Sequence, residues 1–232
     1  MRATGDLIVG YAYAAILAPR PSLGGEFHGA SGVFVELRGR YFFVTANHVV
    51  SHDFDAIRLR EPNLVMHLGD AQFVPASRVI YADPDADVAF LEVTQAEAEA
   101  VGRWIYRPLL WPPEPPRVGD LMGIAGYPAC IRMREGTRRV EFRGFATQTP
   151  LTSINDRQML CAFNRAEWVE LGVPGGLDEH DLGGISGGPV FVLGGIQPRL
   201  VGIVAEHGPD LDALYGGRLD RATPTLLGLP DI

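Results

Sequence analysis

Five prolines fall within nine residues, at Pro108, Pro112, Pro113, Pro115 and Pro116. Proline donates no backbone hydrogen bond and resists both helix interiors and central strands. This stretch therefore reads as a linker, residues 108–117, between a first half, residues 1–107, and a second half, residues 118–232. Both halves are dense in short apolar, β-branched runs separated by turn residues. With 28 glycines and 18 prolines in 232 residues, many turns and short strands are favoured over a helical bundle. Two β-barrels with a cleft between them fit this pattern, and so does one β-sandwich.

Individual runs can be placed. Gly32–Leu37 is apolar and β-branched, Arg38-Gly39-Arg40 reads as a tight turn, and Tyr41–Thr45 completes a hairpin. Ala56–Leu59, Ala71–Val74, Val79–Tyr81 and Val88–Val93 are further strands, the last two flanking an acidic turn, Asp83–Asp87. Gln95–Trp104 is the best helical stretch of the first half, but it is short and interrupted by Gly102 and reads equally as a loop or a helical turn. In the second half, Asp120–Ala125, Arg139–Thr147 and Gln158–Phe163 read as strands and Trp168–His180 as a long loop. Pro189–Leu193 and Leu200–Ala205 form a closing hairpin around Gly194-Gly195. The apolar run Leu7–Ala18 is shorter than the roughly 20 residues a helix needs to cross a bilayer. Arg2 ahead of it raises a signal peptide, but Asp6 and the Pro19-Arg20-Pro21 ending favour a buried first strand, Tyr11–Leu17. A cytoplasmic protein is expected, with a secreted or periplasmic one as the alternative.

Charge and ligand chemistry narrow the function classes. The net charge of −8 gives no support to a nucleic-acid partner. Cys130 and Cys161 allow one bridge at most and no disulfide scaffold. His52 and His67 lack metal-ligand spacing, and no phosphate-cradling glycine loop is present, so no metal or cofactor is expected. Arg132, Arg134, Arg138 and Arg139 form the densest basic cluster, a solvated hairpin face or a partner contact.

Three local signals remain. Val44-Thr45-Ala46-Asn47-His48 places a histidine where a strand must turn. Asp87-Val88-Ala89-Phe90-Leu91 places an aspartate at the mouth of an apolar strand. Gly183-Gly184-Ile185-Ser186-Gly187-Gly188-Pro189 sets a serine among glycines, which keep side chains clear of its hydroxyl. In this order, the motifs resemble those of the trypsin-like, chymotrypsin-fold serine proteases. Val118-Gly119-Asp120 through Gly126-Tyr127-Pro128 resembles the opening strand of the second barrel in bacterial Deg-type members. The matches spread from about residue 27 to 208.

The resemblance implies an all-β fold of two antiparallel six-stranded barrels with the site in the cleft between them. It implies a serine endopeptidase acting on a peptide or protein. Ser186 would be the nucleophile, His48 its base, and Asp87 the group that holds and charge-balances the imidazole. The amides of Gly184 and Ser186 would form the oxyanion hole. His180 would lie near the base of the primary specificity pocket, and Ala205, Glu206 and His207 on its edge strand and wall. His180 supplies no acid for cleavage after Lys or Arg; Glu206 does if it points inward. Ile185 stands where relatives often carry Asp or Asn, so it cannot pair with a newly cut amino terminus. A site formed constitutively, or ordered by a ligand or partner, is implied instead. From the 232-residue length, no PDZ-like module such as Deg-type relatives carry is expected. The alternatives are a non-catalytic or partner-activated binding module on the same fold, and an esterase with the same triad. An α/β-hydrolase is disfavoured because there the serine comes first.

Overall fold

A computed structural model describes residues 2–19, 28–128, 133–135, 139–162, 169–170, 182–208 and 213–230. The first half contains α1 (Arg2–Tyr11), β1 (Ala12–Pro19), β2 (His28–Leu37), β3 (Arg40–Thr45), α2 (Asn47–Val50) and α3 (His52–Arg58). It continues through β4 (Leu64–Leu68), β5 (Ala71–Phe73), β6 (Val79–Asp83), β7 (Val88–Val93) and α4 (Gln95–Ala100). The second half contains β8 (Leu121–Gly126), β9 (Met133–Glu135), β10 (Arg139–Glu141), β11 (Phe145–Ile154) and β12 (Gln158–Ala162). It ends with β13 (Val169–Glu170), β14 (Pro189–Val192), β15 (Arg199–Gly208) and β16 (Ala213–Arg218). Among the described residues no helix is long and apolar enough to cross a membrane.

The expected pair of six-stranded barrels is not what forms. The second sheet does close: β12, β16, β15, β14, β8 and β11 make a ring, sealed by β11–β12 pairing, with β13 added along the start of β11. The first sheet has seven strands in the order β5-β4-β1-β2-β3-β7-β6 and stays open. Its edge strand β5 is only three residues long, too short to carry a closing ladder. Helices cover the interior instead: Val49 and Val50 of α2, Phe54 of α3 and Ala98 of α4 pack with Phe34, Phe43, Met66 and Leu91.

Burial explains why the sheets face each other as they do. Along β2 and β3, Phe34 and Phe43 point into the first sheet's own core, while Val33, Val35, Phe42 and Val44 point the other way. Those four join Phe90 from β7 and Phe191, Leu200 and Ile203 from the second sheet in one shared core. The two central strands are thus buried on both faces, which is why they read as continuous apolar runs. The second ring has its own core, around Met122, Phe145, Met159, Val190 and Leu214.

Several segments differ from the sequence reading. Residues 2–11 are helical, because Gly5, Ile8, Val9 and Ala12 are buried at the helical spacing i, i+3, i+4, i+7; the first strand starts only at Ala12. Ala56–Leu59 belongs to α3 and the turn after it: Phe54 and Ile57 pack inward while Asp53 and Asp55 complement the helix start. Arg139–Thr147 is two strands broken at residues 142–144. Cys161 is an unbridged, buried thiol, and desolvation pushes its pKa up to about 12; Cys130 lies outside the described residues.

Candidate active site

Thr45 ends β3, and the chain turns at once into α2. The residue at the helix start, Ala46, has no side chain to cap it. The free amides are capped from outside. Asn47 N–H donates to the carbonyl of Asp87 at 3.2 Å, and His48 N–H donates to Asp87 Oδ1 at 2.8 Å. The other carboxylate oxygen, Oδ2, lies 2.7 Å from His48 Nδ1. An ionised carboxylate only accepts, so Nδ1 carries the proton and Nε2 is left as the basic nitrogen.

Asp87 reaches this position at a backbone cost. Its φ is 57°, in the left-handed region where residues other than glycine are uncommon. The β6–β7 turn holds it there: Asp83 Oδ1 accepts the amides of Asp85 and Ala86, each at 3.0 Å. Arg157, from the loop after β11, ties the same turn to the second sheet, 3.1 Å from Asp83 and 3.0 Å from Asp85.

Ser186 lies between β13 and β14 in a loop packed against the first sheet. Gly187 has a φ of 89°, and a Cβ there would lie 1.9 Å from the carbonyl oxygen of Ser31 and 2.2 Å from Thr45 Oγ1. Only glycine fits that approach. The Ser186 hydroxyl donates to the carbonyl of Ala205 on β15 at 3.2 Å.

His48, Asp87, Ser186, Ala205 and Glu206 line one cavity of about 590 Å³, together with Gln158, Leu182 and Tyr215. Gly184 lines a second, adjoining cavity of about 470 Å³ with His48, Ser186, His28 and Asp53. His207 lies on β15 paired with Leu214. His180 lies outside the described residues. Sequence reasoning missed Asp53, whose Oδ2 is 3.8 Å from His48 Nε2. An acidic residue one turn and a half beyond the histidine was its only signal.

The electrostatics favour a protonatable imidazole. Burial alone would lower the His48 pKa, but the hydrogen bond to Asp87 and the charges of Asp87, Asp53 and Glu206 outweigh it, and the pKa is raised above the ordinary 6.5. The carboxylate-held imidazole and the Ser186 hydroxyl line the same cavity, with the hydroxyl donating to Ala205.

The sequence profile of trypsin-like peptidase domains matches residues 30–203. No curated protein matches the chain. Among solved structures, it is similar to the thermostable serine protease AL20 from an extremophilic microorganism, at 14% identity over 94% of this chain and 98% of that one, with a TM-score of 0.55. It is similar to the protease Anisep from Arthrobacter nicotinovorans, at 16% identity over 95% and 96%, TM-score 0.50. It is also similar to a Glu endopeptidase, at 13% identity over 93% and 88%, TM-score 0.50. Such identities speak for the fold alone. The profile match covers most of the chain and contains His48, Asp87 and Ser186, and by it the chain belongs to the trypsin-like peptidase family of serine proteases.

Proposed function

We propose that this protein is a serine endopeptidase that cleaves peptide bonds through His48, Asp87 and Ser186. The observation that carries the reading is the double engagement of Asp87 with His48, at 2.8 Å to its amide and 2.7 Å to Nδ1, on the wall that Ser186 shares. His48 Nε2 removes the Ser186 proton as Oγ attacks the scissile carbonyl carbon. The carbonyl π pair moves onto oxygen, and the amides of Gly184 and Ser186 donate hydrogen bonds to that oxyanion. Asp87 balances the imidazolium, which then gives its proton to the leaving amine as the C–N bond breaks. Water, deprotonated by His48, releases the acid from Ser186. The substrate strand adds along β15, with Ala205, Glu206 and His207 beside it.

The test is intact-mass labelling with a fluorophosphonate, wild type beside Ser186→Ala. One adduct that maps to Ser186 and vanishes in the variant is expected, with peptide-library cleavage lost in parallel. Folded wild type that takes no label overturns the reading.

One observation favours a second reading, a site that substrate or a partner switches on. The Ser186 hydroxyl rests on the Ala205 carbonyl, and Asp53 faces His48 Nε2. Pairing of a substrate strand with β15 would release that hydroxyl toward the imidazole. Labelling that accelerates severalfold with added peptide distinguishes this from a site that is always on.

A further inference from the structure

Ser31 lies on β2, in the first sheet, and is completely buried. Its polar groups are all used, and two of them reach across to the loop that carries Ser186. Its hydroxyl donates to the carbonyl of Gly184 at 2.8 Å, and its amide donates to the carbonyl of Ser186 at 2.8 Å. The same hydroxyl accepts the amide of Tyr127 at 2.8 Å, and the Ser31 carbonyl accepts from Thr45 Oγ1 at 2.7 Å. One residue therefore links β2, β3, the end of β8 and the nucleophile loop.

The two contacts with the loop lie on either side of Ile185. Holding the Gly184 carbonyl fixes the peptide plane between residues 184 and 185, whose N–H is tied to Leu182 at 3.0 Å. Holding the Ser186 carbonyl fixes the plane between 186 and 187, whose N–H is tied to Val204 at 2.7 Å. Between them sits the 185–186 peptide, with its carbonyl accepting from Gly188 at 2.8 Å. The N–H of that peptide is the Ser186 amide, one of the two proposed oxyanion donors. With both neighbouring planes fixed, this donor cannot swing without breaking a buried hydrogen bond, a costly event in a low-dielectric interior. Ile185 reinforces the arrangement. It is buried against the second ring's core and offers no charge for an ion pair.

We propose that Ser31 is a positioning residue that holds the oxyanion-binding amide of Ser186 in its working orientation from outside the loop, so that no ion pair beneath residue 185 is needed. This inference rests on the endopeptidase reading. Its signal in the sequence is faint: a small polar residue between Ala30 and Gly32 inside an apolar strand.

The experiment measures fluorophosphonate inactivation as a function of reagent concentration, which separates the maximal rate from half-saturation. The proteins are wild type, Ser31→Ala, Ser31→Cys and Thr149→Val. Thr149 donates a partly buried hydrogen bond to Ala162 at 2.6 Å, lines neither cleft cavity, and serves as the stability control. Deleting an oxyanion donor outright costs about 10²–10³-fold in rate. Loosening one in Ser31→Ala is expected to cost about 10–100-fold in maximal rate, with half-saturation unchanged. Ser31→Cys keeps a weak donor of similar size and is expected to fall between Ser31→Ala and wild type; it carries the test if Ser31→Ala does not fold. Thr149→Val is expected to melt earlier yet label at the wild-type rate. Ser31 variants that label at the wild-type rate, or lose rate no more than an equally destabilised Thr149→Val, overturn the positioning role while the triad stands. Folded wild type without label overturns both.

Discussion

Both carboxylate oxygens of Asp87 are committed to His48, one to its amide and one to its ring. Asp87→Asn replaces one acceptor with an NH₂ donor, which favours the wrong imidazole tautomer. The expected outcome is a loss of about 10⁴-fold in kcat with the fold retained, read by peptide hydrolysis beside circular dichroism. Asp53 affects the same ring from its other side. Because the His48 pKa is raised, partly by Asp53, and the base must be neutral, the acid limb of the pH profile should lie above the ordinary 6.5. Asp53→Asn removes one raising charge, so that limb should move to lower pH while the plateau holds; a shift to higher pH, or none, would refute this electrostatic account. His48, Asp87 and Ser186 were legible as candidates because each sits where the chain changes element, beside a distinctive apolar run. Asp53 and Ser31 were not, since what marks them is a neighbour brought close by folding.

Short continuous apolar, β-branched runs announce themselves, and β2, β3 and β7, buried almost throughout, were legible for that reason. The α4 start was legible as well, and it is built as a capping box: Thr94 Oγ1 accepts the Glu97 amide at 3.2 Å while Glu97 Oε2 accepts the Thr94 amide at 2.8 Å. Thr94→Ala should lower stability by about 1 kcal/mol in a denaturant titration and leave Ser186 labelling unchanged, because α4 contributes no residue to either cleft cavity. Where period and composition disagree, the reading fails. The apolar segment Leu7–Ala18 looks like strand by composition, yet its front part obeys a 3.6-residue period and forms α1. Strand β16, Ala-Leu-Tyr-Gly-Gly-Arg, was missed because two glycines weaken its apolar pattern.

Whether a sheet closes depends on pairing between strands far apart in sequence, so an open first sheet and a closed second ring could not be told apart from local runs. What unites the two sheets is the core they share. Phe191 of β14 is fully buried there, 5.6 Å from the ring of Tyr11 and 5.7 Å from that of Tyr106. Phe191→Ala should cost about 3–5 kcal/mol and lower one cooperative melting transition, because neither sheet retains its outer face without the other. Two separate calorimetric peaks would contradict a common core. The seam of the closed ring carries its own chemical clock. Cys161 sits on β12, opposite Leu151 across the β11–β12 seam and Leu214 on the other side. Its thiolate scarcely forms while the ring is shut, and alkylation requires a thiolate. In a Cys130→Ser background, the rate of iodoacetamide capture therefore counts the moments when the cylinder comes unzipped, without any substrate and without reference to proteolysis.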